Sequence, residues 1–130
     1  MSYAPGMHRI LLREVIIDVP SADLERVTAF WAGALGTSAR QTEATEFWSL
    51  PGAASLPHVG LQDIGTAPAR YHLDIESDDV EAEVERLVAL GATEVSRQPS
   101  WVVLADPAGL LLCVLPPESE EFAERARPVG

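Results

Sequence analysis

Three side chains in this sequence could carry out proton transfer or nucleophilic chemistry: Glu14, His72 and Cys113. His72 stands in the segment HLDIE, where alternation places His72, Asp74 and Glu76 on one face of a strand. An imidazole can exchange a proton near neutral pH, and a carboxylate in an apolar cavity is suited to the same task. One hypothesis is therefore that Glu14 and His72 form an acid–base pair.

Each of these residues also has a purely structural interpretation. His72 could be a histidine held by Tyr71 or by the acidic residues of its own strand face, and Glu14 could pair with an Arg such as Arg70. Cys113 could act as a nucleophile with His72 as its base. A lone cysteine in the run LLLCVL is, however, typical of a small buried side chain, and this is what we expect for Cys113.

Two tryptophans, Trp48 and Trp101, lie on short predicted strands, one in each half of the chain. An indole on such a strand could stack on a planar ligand, although core packing is the alternative for each of them. Trp31 belongs to a helical stripe and is expected in the core. Phe47 and Trp48 are strand neighbours that point to opposite faces, so only one of them can reach a given cavity.

The composition excludes several classes of function. The chain has 130 residues and a formal net charge of −11, and Arg is its only basic residue type apart from His. Nucleic acid would be repelled, and the absence of Lys excludes Schiff-base chemistry and a P-loop. The single cysteine, the charged N-terminal segment and the lack of a run of ~20 apolar residues predict a cytoplasmic protein that does not enter membranes.

The elements that would position these residues occur twice. The segments 14–36 and 72–91 each read as a strand, a capping residue, a helix and a Leu-Gly stop. In the first strand, alternation separates an apolar face from a second face, with Val15, Ile17 and Val19 on the first and Glu14, Ile16 and Asp18 on the second. Three short strands are predicted after each helix: around 37–42, 46–50 and 58–64 in the first half, and around 93–97, 101–105 and 110–115 in the second. Both halves therefore have the order β-α-β-β-β.

Local signals mark the ends of these elements. Ser21 and Asp23 are predicted to cap the first helix, and Asp78 with Glu81 resembles a capping box for the second. The turn DPAG at 106–109 separates two apolar strands. The polar, proline-flanked residues after Leu115 predict a loose tail or one short helix outside the core.

The order of these elements, with FWAGALG ending the first helix, HLDI opening the second half and RLVALGA in its helix, resembles the vicinal-oxygen-chelate proteins, also called glyoxalase-like or bleomycin-resistance-like. The resemblance covers about 13–115. It implies an α+β fold in which two tandem β-α-β-β-β modules form a curved mixed sheet around a central cavity. It also implies one domain over 1–116, with modules at about 10–65 and 69–116, a C-terminal tail at 117–130, and a homodimer.

In this family a metal ion, when present, is held by side chains on the first and last strands of each module. The resemblance carries these places onto Glu14, His72 and Cys113, and the remaining place onto Gln62 or a neighbour on its strand face. A set with Gln62 and Cys113 departs from the usual carboxylate and imidazole ligands, so no family-type metal is expected. It stays open which residue of this strand faces the cavity: His58, Gly60 or Gln62.

The sequence therefore predicts a protein that binds or sequesters a small organic ligand in a cavity, without a cofactor. The residues predicted to contact the ligand are Trp48, Gln62, Asp74, Trp101 and Cys113. The alternative is a lyase, isomerase or dioxygenase-like enzyme. In that enzyme Glu14 and His72 would be ligands of a divalent metal ion or an acid–base pair.

Overall fold

The computed structural model describes residues 7–53 and 58–130, which form two compact units. The first unit is Glu14–His72, and the second joins the residues up to Arg13 with Leu73–Gly130. The elements of the first module are β1 (His8–Val19), α1 (Leu24–Ala34), β2 (Arg40–Gln41), β3 (Phe47–Ser49) and β4 (Val59–Asp63). Those of the second are β5 (Arg70–Ser77), α2 (Val80–Leu90), β6 (Thr93–Arg97), β7 (Val102–Ala105) and β8 (Leu111–Leu115).

Within each module the strands pair in a mixed arrangement. In the first, the strand order is β2-β3-β4-β1, with β1 parallel to β4 and the other pairs antiparallel. In the second, the order is β5-β8-β7-β6, and β5 is parallel to β8. The predicted α+β class with two β-α-β-β-β modules is confirmed. The division into one domain and a tail stays a prediction.

In each module the apolar face of the strands packs against the helix of the same module. Ile17, Val19 and Leu61 are buried in the first core, against which Val27 and Trp31 of α1 pack. Val15, Ile17 and Val19 share one face of β1, as the alternation predicts. The other face of the same strand is therefore left to Glu14, Ile16 and Asp18.

The second core is built in the same way. Leu104 and Val114 are fully buried in it, and Val84 of α2 packs among them. Side chains that alternate with Leu104 and Val114, such as Cys113, must point to the opposite face of this sheet. None of the described helices is long and apolar enough to cross a membrane.

The helix caps differ from the prediction. Asp79, not Asp78, caps α2, and its side chain accepts a hydrogen bond from the backbone N–H of Ala82 at 3.0 Å. Asp78 instead pairs with Arg9, its carboxylate 3.0 Å from Nε. At α1 the N-cap position is Asp23, whose side chain makes no capping hydrogen bond.

The C-terminal residues pack within the second unit. They contain α3 (Phe122–Arg125) and β9 (Arg127–Val129), which pairs antiparallel with the start of β1. Phe122 is buried, and the Arg9 guanidinium lies 5.1 Å from the centre of its ring. The predicted short helix is present, but the segment is not loose, because a strand and a buried aromatic ring anchor it.

Candidate functional site

The first unit has a polar sheet face that points away from α1. Asp18 on β1 is the register partner of Gln62 on β4, and Gln62 is in turn the partner of Phe47 on β3. Register partners on neighbouring strands stand about 5 Å apart, so these three side chains form a row across the sheet. The row brings together a carboxylate, an amide and an aromatic ring.

A buried hydrogen-bonded pair lies at the Asp18 end of this row. Asp18 is 1% exposed and His72 is 8% exposed, and His72 Nδ1 donates to Asp18 Oδ2 at 2.8 Å. Arg70 Nε donates to the same carboxylate oxygen at 3.2 Å. A carboxylate on Nδ1 fixes the tautomer and the orientation of the ring, which is the arrangement of an imidazole that works through Nε2.

The second oxygen of Asp18 is unusual for a buried carboxylate. Oδ1 is shielded from solvent and has no hydrogen-bond partner among the described residues. An unpaired buried acceptor costs about 1–3 kcal/mol, so such atoms commonly face a bound molecule or a water. Among the described residues, Asp18 therefore keeps an unpaired hydrogen-bond acceptor beside the oriented imidazole of His72.

Glu14 lies on the same face of β1, two residues before Ile16. Its Oε2 is 3.2 Å from the position that a Cβ on Gly60 would occupy. The carboxylate thus lies over the bare backbone of β4, and any side chain at position 60 would push against it. We therefore expect this face to accept glycine best at position 60.

In the second unit, the corresponding face of β5 and β8 carries Asp74 and Cys113. They are register partners, and a carboxylate oxygen of Asp74 lies within 4.8 Å of the Cys113 sulfur. Asp74 is 9% exposed and Cys113 is partly buried. Trp101 is partly buried just before β7, where its carbonyl accepts from the backbone N–H of Gln98 at 2.8 Å.

The predicted site residues of the first unit fall into two groups. Glu14, Gln62 and His72 belong to the polar face of the first unit, where Gly60 and Gln62 share one side of β4 and His58 directly precedes that strand. Trp48 lies on the other side, since it is the register partner of Leu61 and packs on the core under α1. Its strand neighbour Phe47 takes the polar side.

Asp18 was not predicted as the partner of His72. The alternation showed which face Asp18 occupies, but not that it would meet a residue 54 positions away. The sequence alternatives for His72, namely Tyr71, Asp74 and Glu76, were all local. A buried acidic residue in an apolar strand was the available signal.

The residues of this face do not fit the divalent metal ion that the resemblance implies. Among the described residues, no group of three or more His, Cys, Asp or Glu side chains close enough to share an ion contains Glu14. Gln62 offers only a neutral amide. Asp18, which orients His72, is shared with the guanidinium of Arg70, whose positive charge opposes a second cation.

Comparison with known proteins decides the family. A family model described as a glyoxalase-like domain matches residues 14–115, which is most of the chain. This chain belongs to the glyoxalase-like family. The resemblance to the vicinal-oxygen-chelate superfamily is thus confirmed.

Solved structures of similar proteins include several members of this superfamily. A methylmalonyl-CoA epimerase from Streptomyces coelicolor is 13% identical, with a TM-score of 0.49 over 83% of this chain and 97% of that chain. A glyoxalase/bleomycin resistance protein from Albidiferax ferrireducens is 20% identical, with a TM-score of 0.32 over 81% and 98% of the two chains. Glyoxalase I from Zea mays is also 20% identical, with a TM-score of 0.30 over 79% and 44%. No curated protein matches the chain significantly.

Proposed function

We propose that this glyoxalase-like protein binds a small planar organic ligand on the polar face of residues 14–72, without a family-type metal. The observation that carries the proposal is the buried Asp18–His72 pair with its unpartnered Asp18 Oδ1. A ligand hydroxyl or amide N–H would satisfy that oxygen. Gln62 and Phe47, in the same row, offer an amide for a further hydrogen bond and a ring for apolar contact.

A thermal-shift screen against small planar metabolites tests the proposal, since a ligand that binds only the folded state raises the melting temperature. We expect hits for the wild type that Asp18→Asn and Phe47→Ala weaken about tenfold or more, as the loss of a charge-assisted hydrogen bond or a ring contact would do. Glu43→Gln is the matched control, because Glu43 is an exposed carboxylate of the same unit. Ligands that bind both Asp18→Asn and Phe47→Ala as tightly as the wild type would bind elsewhere on the protein.

Metal analysis tests the metal-free part of the proposal separately. Protein purified without chelator or metal-affinity resin should contain no stoichiometric divalent ion. If one ion per chain were found, and if it were lost in both Glu14→Ala and His72→Ala, these two residues would be ligands. The metal-free proposal would then be wrong.

The same pair favours a second candidate function, an isomerase or lyase that removes a proton from its ligand. His72 would act as the base through Nε2, and Asp18 would hold the ring and stabilise the imidazolium. Deuterium uptake from D₂O into a bound hit, followed by NMR, measures this reaction. Exchange should fall about 10²–10⁴-fold in His72→Gln. Hits that bind without any exchange would leave sequestration as the function.

A homodimer, which the family resemblance implies, and a cytoplasmic location, which the single cysteine favours, are further proposals. Light scattering during size exclusion gives the mass in solution, to be compared with 14.0 kDa for one chain. A dimeric mass is expected across micromolar concentrations. A monomeric mass at every concentration would contradict it.

A further inference from the structure

A groove lies on the opposite side of the first unit from the Asp18–His72 pair. It runs beside α1, has a volume of about 450 Å³, and is bordered by Trp48 at the edge of the sheet. Ligand pockets commonly enclose about 300–1,000 Å³, so the space suits a small molecule rather than a protein helix. The proposed ligand-binding face does not use this groove.

Small side chains keep the groove open. Ala29 and Ala32 of α1 line it, together with Ala39 before β2. The indole of Trp48 is only partly buried, although it packs on the core. A large aromatic surface therefore borders a space that three alanines leave unfilled.

Two polar groups that border this space have no partner among the described residues. Thr28 Oγ1 is buried and forms no hydrogen bond with any described residue. Glu25 is exposed and has no ion pair within the described part of the chain. The neighbouring Arg26 does not neutralise Glu25, because it pairs with Asp23.

We propose that this groove binds a small organic ammonium ion that carries an apolar body. The ammonium group would lie between the Glu25 carboxylate and the face of the Trp48 indole, where ion pairing and a cation–π interaction favour the same charge. None of the described residues that line the groove is basic. The net charge of −11 adds a long-range attraction for cations.

Two probes of almost equal shape separate charge from apolar contact: phenethylammonium chloride and neutral 2-phenylethanol. Each is titrated into the full chain while the indole N–H signals are followed by NMR, with Trp48 assigned through Trp48→Phe. We expect the ammonium ion to shift the Trp48 signal and to bind about tenfold more tightly than the alcohol. High salt should weaken the ammonium ion selectively.

Variants test the location. Ala29→Leu, at an exposed position in the groove, should abolish the shift of the Trp48 signal, whereas Ala34→Leu, at an exposed position of the same helix outside the groove, should not. Glu25→Gln should remove the preference for the ammonium ion, and Glu43→Gln should keep it. Equal affinity for both probes, no Trp48 shift with either, or unchanged binding in Ala29→Leu would each overturn the proposal.

The two proposed sites can fail independently. Asp18→Asn should leave ammonium binding in the groove unchanged, because Asp18 lies on the other face of the sheet. Ala29→Leu should likewise leave the thermal-shift hits of the polar face unchanged. An effect of Asp18→Asn on the ammonium titration would show that the probe binds the polar face instead.

Discussion

Glu83 shows how a buried carboxylate is kept charged in this protein. Its side chain is fully buried on α2, with His8 Nε2 2.7 Å from Oε1 and Arg86 donating to both oxygens at 2.7 and 2.9 Å. Burial alone would raise the pKa of Glu83, but the hydrogen bonds from Arg86 and His8 outweigh it and lower the pKa below the ordinary value. Glu83 thus joins the start of β1 to α2.

The lowered pKa makes stability depend on acidity. A carboxyl group whose pKa is depressed by folding contributes stability above its unfolded value, and this contribution is lost as the pH falls through the folded value. We therefore expect the wild type to lose stability below about pH 4.5, the ordinary value for glutamate. Glu83→Gln should flatten this part of the profile and lower stability at pH 7, as measured by urea unfolding across pH.

Replacing glycine by alanine should change stability in opposite directions at two positions, Gly33 and Gly60. At Gly33, within α1, a new Cβ would meet nothing within 4 Å, so Gly33→Ala should stabilise the fold by about 0.5–1 kcal/mol. At Gly60 a new Cβ would lie 3.2 Å from both Glu14 Oε2 and the Trp48 carbonyl oxygen. Gly60→Ala should therefore destabilise the fold by about 1 kcal/mol.

Urea unfolding of the two alanine variants checks this pair. Gly33→Ala also serves as the control for the general effect of replacing glycine, which restricts the unfolded chain in both cases. If Gly60→Ala gained as much stability as Gly33→Ala, the carboxylate of Glu14 would not be packed over β4.

The sequence predicted which strand face each site residue occupies, but not which residue it contacts. Alternation placed Asp18, Gln62 and His72 on polar sides of their strands, and the structure agrees. It could not show that Asp18 meets His72, because a period of two carries no information about which strand lies alongside. For the same reason the choice between Phe47 and Trp48 needed the register of β3 with β4.

At the scale of elements, the two helices differ in how they begin. Asp79 caps α2 through a side-chain hydrogen bond, whereas Asp23 at the same position of α1 makes none. Asp79→Ala should therefore lower the free energy of unfolding by about 1 kcal/mol, as expected for the loss of a capping group. Asp23→Ala should cost clearly less. If chemical unfolding showed equal losses of stability for both variants, the negative charge at the start of each helix, rather than the capping hydrogen bond, would be the stabilising factor.

Most elements were predictable because each has its own local signal. The six short strands were placed within about three residues, and both helices end where Leu-Gly predicts. The strand β9 was missed, since three residues that include Pro128 show no alternation. Its formation depends on pairing with the backbone of β1 at His8–Ile10. Such pairing is a tertiary effect that the local sequence cannot encode.

Glu76 shows how the C-terminal segment is fastened. This fully buried carboxylate of β5 accepts hydrogen bonds from the backbone N–H groups of Glu118 and Ser119 at 2.9 and 2.8 Å, and from the Ser119 hydroxyl at 2.6 Å. The same strand face carries His72 and Asp74 at its other end. One end of the face therefore fastens the C-terminal segment, and the other end carries the histidine of the proposed site.

For the whole molecule, charge sets the response to salt. A net charge of −11 on 130 residues gives strong self-repulsion in the folded state, which screening relieves. We expect the melting temperature at pH 7.5 to rise between low salt and physiological ionic strength. Differential scanning calorimetry checks this, with a neutral osmolyte as control. A fall would mean that surface ion pairs, such as Arg97 with Glu94, outweigh the repulsion.

The pairing of β9 with β1 also bears on how this chain can be engineered. Because His8 and Val129 are register partners, the first and last described strands lie side by side, and a short glycine linker could join them. New termini could then be opened in the exposed turn between β4 and β5, near Thr66. The resulting circular permutant would begin with the second module, so that each β-α-β-β-β repeat could be varied from its own end of the chain.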